Sequence, residues 1–508
     1  MDDSTKREQF FPGTMPVDTH LALSPTSPKQ HFEVSFEDHE SHKHSALETL
    51  RLKSFHRFGE RKDVSSVAFV YGHLYGENLE EDADDEEKAI EEVDENLPTR
   101  SISFHDEVPD KEVKRMGICK TFFTLIKSFL GTGLLLMAKG FANGGYAFSI
   151  PILIISAVIS GVAGQELIET RSKVRGSFSE IAHFSFGLWA RVIADIVMVL
   201  AQLTFVIAYV DFICLNVREE IAAWSHSDGA NIWYYGLACF VILTPLVFVR
   251  HLEKFAMCHF FADFMVVLMI LTVVIFSGLS LHDAGRIDPG AVSFNQSAYF
   301  LYFGTAIFAF EGVGVVIPIY ESMEKPEYFL CLWWITMVAV TTIYIIMGLI
   351  PYFAYGEEGL SAPFISQTIA AVYPNLWNQI VNVLYAVALV PTYVLIVNPA
   401  VHVLEIAILK GRVPETKHSA LRKWLKNLIR TIVVAFTVVI AIVSADSLDY
   451  MLGIVSTISC TPVGFIFPAA FHLRNMKPTG WRRCVDWFII VFGFVVIVVI
   501  LILTFVFG

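Results

Sequence analysis

Charged side chains are scarce in this 508-residue sequence, at 17% of the residues, whereas hydrophobic residues make up 54%. A soluble domain this apolar could not cover its surface with polar groups. The apolar residues also occur in runs of about 20, the length needed to cross roughly 30 Å of hydrocarbon. The composition therefore excludes a soluble globular protein and predicts an all-α polytopic membrane protein.

Cysteine is also infrequent, with seven residues that lie in or beside apolar segments and follow no disulfide or metal-ligand spacing. The sequence contains no phosphate-binding loop, nucleophilic triad or metal-ligand motif. Its first hundred residues are polar, so we expect no signal peptide. These absences predict that the chain is not an enzyme, and we expect no catalytic residue, metal, cofactor or nucleic-acid partner.

Most of the negative charge lies near the N-terminus. The net charge is −13, and residues 77–95 alone contain twelve acidic residues and one lysine. Acidic blocks of this kind are usually solvated and disordered. We therefore predict two parts: residues 1–115 form a cytosolic, largely disordered acidic tail that can bind cytosolic regulatory partners, and residues 116–508 form the membrane domain.

From residue 116 onward the hydrophobic runs predict eleven transmembrane helices. Their approximate bounds are 118–141, 146–168, 190–217, 232–250, 256–279, 297–322, 329–352, 377–409, 428–445, 450–473 and 484–507.

The charges of the connecting loops predict the topology. Lysine and arginine cluster in the loops after spans 2, 4, 6, 8 and 10, whereas the intervening loops contain only Arg218, directly after span 3, and Arg286. Because basic loops remain on the cytosolic side, the N-terminus is predicted in the cytosol and the C-terminus outside or in a lumen. The sequence Asn-Gln-Ser at Asn295 falls in an outer loop, where glycosylation is topologically allowed.

Two spans contain residues that weaken a helix. The first span carries Gly-Thr-Gly at 131–133, and the sixth carries Gly304, Gly312, Gly314 and Pro318. With five spans per repeat, spans 1 and 6 occupy corresponding positions. Glycine-interrupted segments at corresponding positions indicate the central site of a transporter, where free N–H groups bind an anion and free carbonyls bind a cation. Alternatively, these glycines allow close helix packing.

The stretches "KSFLGTGLLLMAKGFANGG" (127–145) and "FGTAIFAFEGVGVVIPIYESM" (303–323) resemble the amino acid/auxin permease family. Within it the sequence is most similar to the proton-coupled amino acid transporters and the fungal vacuolar amino acid exporters. The resemblance covers about 116–508 and implies a five-plus-five inverted repeat with one extra helix. It also implies a carboxylate-binding break at Gly131, Thr132 and Gly133, and an amine-binding and gating segment at Phe308, Ala309 and Phe310.

Ionisable residues inside spans are costly and are functional candidates by default. Glu311 is the first candidate for proton coupling, the alternative being a structural carboxylate paired with a basic residue of another helix. His259 and Asp263 share one helical face and form either a proton relay or an ordinary polar pair. Lys127 lies one turn before the first break, where it either holds the unwound segment or extends to the cytosolic interface.

Together these features predict a multi-pass secondary transporter whose partners are an amino acid, protons and the lipid bilayer. We expect neutral amino acids to leave an acidic vacuole or lysosome together with protons. Uptake at the plasma membrane is the alternative within the same class. A different class is an amino-acid sensor or scaffold whose tail recruits signalling partners, and a channel is disfavoured by the paired breaks.

Overall fold

A computed structural model describes residues 116–131, 133–174, 176–225, 230–249, 256–312, 316–409 and 420–507. The predicted acidic tail lies outside these residues. The helices in chain order are α1 (Ile118–Phe129), α2 (Gly133–Gly144), α3 (Tyr146–Lys173), α4 (Phe178–Phe186), α5 (Leu188–Ser225), α6 (Ile232–Val247), α7 (Ala256–Ala284), α8 (Tyr299–Ala309), α9 (Val316–Glu321), α10 (Phe329–Gly359), α11 (Ile365–Val372), α12 (Leu376–Leu409), α13 (Ala420–Ser444), α14 (Leu448–Thr461), α15 (Phe467–Met476) and α16 (Trp481–Phe507).

Eight of the described helical segments are long and apolar enough to cross a membrane, and the bent pair α1–α2 raises the number to nine. One of the eight is the continuous run of α14 and α15, joined by a π-helical turn at Pro462–Ile466. The all-α polytopic class is therefore confirmed. The other two predicted spans coincide with the shorter helix α6 and with the pair α8–α9, so the number eleven stays a prediction.

The helix packing shows a twofold pattern. The first half consists of α1–α2, α3, α5, α6 and α7, and the second of α8–α9, α10, α12, α13 and α14–α15. When each span is replaced by its counterpart in the other half, many pairs of helices that pack together correspond to pairs that also pack together. Thus α2 packs on α10 as α8 packs on α3, and α7 packs on α12 as α14 packs on α5. The short helices α4 and α11 follow the second span of each half. Five spans in each half, an odd number, place the two halves in opposite orientations across the membrane, and this inversion stays a prediction together with the number eleven.

One pair of helices breaks this pattern. Helix α8 packs closely along α14, whereas their counterparts in the first half, α1 and α7, pack much less closely over the described residues. The two halves thus differ in whether the first helix of the repeat lies against the last.

We call the side of the molecule on which α1 begins the α1 side, and the opposite side the α2 side.

The close approach of α8 and α14 depends on two glycines. A β-carbon built on Gly304 would overlap the backbone of Gly453 in the facing helix. The hydroxyl of Ser456 donates a hydrogen bond of 3.1 Å to the carbonyl oxygen of Gly304. Small residues that let two backbones touch are typical of helix interfaces in membranes. The packing interpretation of glycine therefore applies to Gly304.

No predicted span corresponds to helix α4, although a short sequence motif marks where the helix begins. Ser177 and Glu180 form a capping box: the Ser177 hydroxyl accepts the N–H of Glu180, and the Glu180 carboxylate accepts the N–H of Ser177 at 2.8 Å. This reciprocal arrangement satisfies two otherwise free donors. The sequence Ser-x-x-Glu at 177–180 is the signal that predicts such a helix.

Asn295, where the sequence motif and the predicted topology allow glycosylation, is buried in the fold. Its side chain is 7% exposed, and its amide nitrogen donates to the carbonyl oxygen of Ala142 at 3.0 Å and to Glu357 Oε1 at 2.9 Å. Its amide oxygen accepts from the hydroxyl of Ser297 at 2.7 Å. Both ends of the amide are thus engaged, and Asn295 joins its loop to α10.

Candidate functional site

The first span is broken between α1 and α2, which meet at a bend of 50°. The N–H of Gly131 turns back to the carbonyl oxygen of Phe129 at 2.9 Å, and the N–H of Leu134 reaches the carbonyl oxygen of Gly131 at 3.1 Å. These turn contacts replace the regular helical ladder. The predicted break is therefore present, and Gly131 lies within it. Thr132 lies outside the described residues.

The second break follows α8, which ends at Ala309. The N–H groups of Phe310 and Gly312 return to the carbonyl oxygens of Ile307 at 3.1 Å and of Phe310 at 2.9 Å. A β-carbon on Gly312 would lie 2.5 Å from Cε1 of Phe129, the last residue of α1. Gly312 thus lets the two breaks approach each other, while Gly314 is outside the described residues.

Tyr344 of α10 connects the two breaks. Its hydroxyl oxygen lies 2.6 Å from the carbonyl oxygen of Phe129 and 2.9 Å from that of Ala309, the last residues of α1 and α8. The side chain is fully buried. A hydroxyl has one hydrogen, so the two carbonyls share a single donor. Tyr344 therefore stabilises the relative position of the unwound segments.

We predict that Tyr344→Phe weakens substrate binding several-fold to about tenfold and lowers thermal stability. The substitution removes the shared donor at a cost of about 1 kcal/mol, more where a carbonyl stays unsatisfied. Binding isotherms and thermal unfolding of the purified protein provide the measurement. Tyr352→Phe is the matched control, because the Tyr352 hydroxyl accepts the loop N–H of Val292 at 2.9 Å away from the breaks. Equal losses of affinity in both variants would contradict the role given to Tyr344.

A cavity of about 110 Å³ lies at the breaks. By the same measure one water molecule needs roughly 10–15 Å³, so the space suits a small metabolite. Its lining comes from α1, α5, α7, α8, α9, α12, both breaks and the π-helical turn. The lining residues are Thr124, Lys127, Ser128, Phe129, Leu130, Gly131, Met198, Gln202, Phe205, Tyr209, Ala262, Asp263, Val266, Phe308, Ala309, Glu311, Ile319, Tyr385, Leu389, Thr392, Ile396 and Val463.

The cavity brings together part of the predicted substrate site. Gly131, Phe308 and Ala309 line it, whereas Gly133 and Phe310 do not. A β-carbon on Gly133 would lie 3.3 Å from the ring of Phe308, so Gly133 faces an aromatic side chain rather than open space. Phe310 is 1% exposed and packs against the rings of Phe129 and Tyr344. Gly133 and Phe310 therefore pack against residues of the breaks and do not line the cavity themselves.

Lys127 and Asp263 form one ion pair at the edge of the cavity. The ammonium nitrogen of Lys127 on α1 lies 2.5 Å from Oδ2 of Asp263 on α7, and the side chains are 22% and 29% exposed. The two candidates, predicted separately, therefore act as one pair. His259 lies one turn before Asp263 on the backbone of α7, and its side chain is outside the described part.

Glu311 accepts a hydrogen bond of 2.6 Å from the thiol of Cys460 on α14. Cys460 immediately precedes the last residue of that helix, before the π-helical turn. Among the residues that the structure describes, no lysine or arginine forms an ion pair with Glu311. The alternative of a structural carboxylate held by a basic residue of another helix thus has no support in this part of the chain.

The cavity extends toward the α1 side. It is lined by Thr124, Lys127 and Ser128 of α1, and by no residue of α2. On the α2 side, Asn143 donates to Asp449 at 3.1 Å, and Gln367 of α11 donates to Glu219 at 2.8 Å. The cavity therefore reaches toward the side predicted to be cytosolic, whereas polar contacts join the helices on the α2 side.

A family profile described as "Transmembrane amino acid transporter protein" matches residues 114–506, more than three quarters of the chain. This chain belongs to that family. Its membership agrees with the resemblance seen in the two glycine-containing motifs and confirms the prediction of a transporter-family protein rather than an enzyme.

Named relatives of this family member come from fungi and plants. "Vacuolar amino acid transporter 4" of Saccharomyces cerevisiae is 29% identical over 455 residues, covering 84% of this chain and 63% of that protein. "Vacuolar amino acid transporter 3" of Schizosaccharomyces pombe is 28% identical, covering 84% of this chain and 65% of that protein. "Amino acid transporter AVT3C" of Arabidopsis thaliana is 27% identical, covering 75% and 88%. The chain thus spans less than two thirds of the two fungal proteins.

Sequence reasoning missed several residues of this transporter-family site. Tyr344 and Cys460 lie within apolar runs and have no charge or helix-breaking property that marks them. Phe205 of α5 stacks on Phe308, with ring centroids 4.4 Å apart. An aromatic residue in a membrane helix is ordinarily part of the packing, so only the fold shows that these three contact the breaks.

Proposed function

We propose that this chain is a secondary active transporter that moves neutral amino acids across a membrane together with protons. The observation that carries the proposal is the convergence of two broken helices, from corresponding positions of an inverted pair of halves, on one cavity. An α-amino acid has a carboxylate and an ammonium group. The positive end of a half-helix dipole at one break and the backbone carbonyls at the other suit that pair of charges.

The lining supports a neutral substrate. Its described charged residues are the ion pair Lys127–Asp263 and the carboxyl residue Glu311. The remaining lining is mainly apolar and aromatic, as in the pair Phe205 and Phe308. A substrate with a charged side chain needs a partner of opposite sign in such surroundings, because an unpaired buried charge is costly. A small apolar or polar side chain needs none.

The proposed membrane is that of an acidic vacuole or lysosome. The two fungal relatives are named vacuolar amino acid transporters, and their similarity covers 84% of this chain. A lumen richer in protons than the cytosol drives a proton-coupled carrier toward export. With the predicted topology, the cavity would release its contents to the cytosol.

We predict flux that follows a proton gradient and ignores a sodium gradient. Protonatable groups, Glu311 and the Lys127–Asp263 pair, lie at the cavity, so a proton can change its charge without a metal ion. Purified protein in liposomes is tested with labelled amino acids under imposed pH and sodium gradients, with the membrane potential clamped. Accumulation driven by sodium at equal pH would contradict the coupling and leave the transporter assignment intact.

The same measurement separates the other candidate functions. A sensor binds an amino acid with the expected saturation but gives no flux in either direction. A plasma-membrane permease gives flux, and differs in where the tagged protein is found in cells. Saturable proton-driven flux together with a vacuolar or lysosomal location supports the proposal in full.

A further inference from the structure

A cluster of ionisable side chains lies on the α1 side, away from the cavity. Glu166 is near the end of α3, His472 near the end of α15 and Asp486 near the start of α16. One potential ligand atom from each of the three lies within 4.8 Å of the others. Helices α15 and α16 are consecutive, whereas α3 comes from a distant part of the chain, so the fold brings Glu166 to the other two residues.

The three side chains are deeply buried, with exposed fractions of 5% for Glu166, 3% for His472 and 1% for Asp486. His472 contacts carboxylates with both ring nitrogens: Nδ1 lies 2.8 Å from Oδ2 of Asp486, and Nε2 lies 3.3 Å from Oε2 of Glu169. Glu169 is partly exposed. The cluster is therefore one residue away from the surface, which gives an ion a short route in.

The charges in the cluster do not balance. Glu166, Glu169 and Asp486 bring three carboxyl groups to one imidazole. Arg482, which is half-exposed, contacts Glu169 at 3.3 Å through two nitrogens. Oε2 of Glu166 is buried and accepts no hydrogen bond from the described residues. Burying carboxylates without a partner is costly, and a divalent cation is one way to offset that cost.

We propose that Glu166, His472 and Asp486 form a binding site for a divalent transition-metal ion, best satisfied by Zn²⁺. An imidazole nitrogen with carboxylate oxygens is a zinc ligand set, whereas Mg²⁺ and Ca²⁺ prefer oxygen ligands alone. Bond lengths of about 2.0–2.2 Å bring tetrahedral ligand atoms to about 3.4 Å from one another, which small side-chain rotations achieve from the present spread. Glu169 then orients His472 through the other ring nitrogen.

The bound ion would join α3 to α15 and α16. These helices belong to different halves of the fold, apart from α16, which follows the second half. The site is separate from the cavity and involves none of its lining residues. The proposal therefore does not depend on what the cavity transports.

The test uses purified full-length protein with its affinity tag removed and metal stripped by a chelator. Zinc binding is measured by competition with a chromogenic chelator, and Co²⁺ is added separately as a spectroscopic probe. We expect one equivalent of Zn²⁺ with micromolar or tighter affinity, a higher unfolding temperature, and visible absorption bands of Co²⁺ bound by nitrogen and oxygen. Glu166→Gln, His472→Asn and Asp486→Asn should each weaken binding by about 100-fold or more, and Glu169→Gln by about 10-fold.

Two variants serve as controls. Glu405→Gln alters another buried carboxylate, which pairs with Arg430 at 2.8 Å, and His183→Asn removes an exposed histidine. Both should bind one equivalent per folded molecule with unchanged affinity, although the yield of folded Glu405→Gln is expected to fall. Zinc binding that survives in Glu166→Gln and His472→Asn, or that disappears in His183→Asn, would overturn the proposal. The proposal would also be overturned if the folded parent protein bound no zinc and showed no Co²⁺ bands. That result would indicate that the carboxyl groups share a proton instead of binding a metal ion.

Discussion

Glu311→Gln is expected to abolish accumulation of substrate against a gradient at any imposed pH difference, while exchange of labelled for unlabelled amino acid continues. Glutamine resembles a permanently protonated glutamic acid, so the site can no longer release a proton on one side of the membrane. Exchange requires only that the loaded carrier moves between its two states. The measurement is the ratio of exchange to pH-driven uptake, normalised to protein in the membrane.

The contact with Cys460 makes this substitution a mild one for the fold. The amide oxygen of a glutamine at position 311 can accept the same thiol, which donates at 2.6 Å in the parent protein. The expected cost is therefore about 1 kcal/mol, the difference between a charged and a neutral acceptor. Substitution of a structural carboxylate should destabilise the protein much more. Glu405→Gln is the variant for this comparison, because it leaves Arg430 buried without its ion-pair partner.

In Glu405→Gln, protein yield, exchange and uptake should fall together, since breaking a buried pair costs about 3–5 kcal/mol. An unchanged ratio of exchange to uptake in Glu311→Gln would remove Glu311 from the coupling step. The Lys127–Asp263 pair would then be the next group to test, because it is the other charged group at the cavity.

Gly131→Val should abolish both uptake and exchange while the protein remains folded in the membrane. The backbone of Gly131 does not adopt a positive φ, and a β-carbon there would lie 3.4 Å from the hydroxyl of Tyr209, an ordinary contact. The fold therefore tolerates the first added carbon. The two methyl groups of valine enter the cavity and cover the backbone that the substrate is proposed to contact.

Gly278→Val is the matched control, since the same change in α7 has open space around the new β-carbon. It should leave transport unchanged. Gly133→Val differs again: its β-carbon presses on Phe308 at 3.3 Å, so loss of thermal stability should accompany loss of transport. Normal uptake with an unchanged Michaelis constant in Gly131→Val would show that this glycine is not at the substrate site.

The spans and the first break could be predicted because they rest on local signals: apolar runs of membrane length, and the glycines of residues 131–133. The pairing of Lys127 with Asp263 could not, because each residue is visible in the sequence but their proximity depends on how α1 packs against α7. Tyr344 is harder still, since neither its type nor its neighbours distinguish it from a packing residue.

The cluster on the α1 side shows the same limit in a different form. Glu166 and His472 are separated by 306 positions, so no spacing rule relates them, and the sequence predicts no metal site. Asn295 shows what a local motif leaves out: the sequence allows glycosylation there, whereas the burial of the amide is visible only in the fold. Local patterns thus predict elements reliably and accessibility poorly.

The contact between Gly304 and Gly453 affects how the α2 side can open. Where side chains of two helices interlock, they must move apart before the helices can separate, and this adds to the energy barrier of the movement. Where Gly304 meets Gly453 the two backbones touch with no side chain between them, so at this point only the hydrogen bond from Ser456 to Gly304 has to be released. Elsewhere in the same interface the rings of Phe300 and Tyr450 pack with centroids 6.4 Å apart and have to separate as well. The glycine contact therefore lowers the barrier to a movement of α8 along α14 only where the backbones touch.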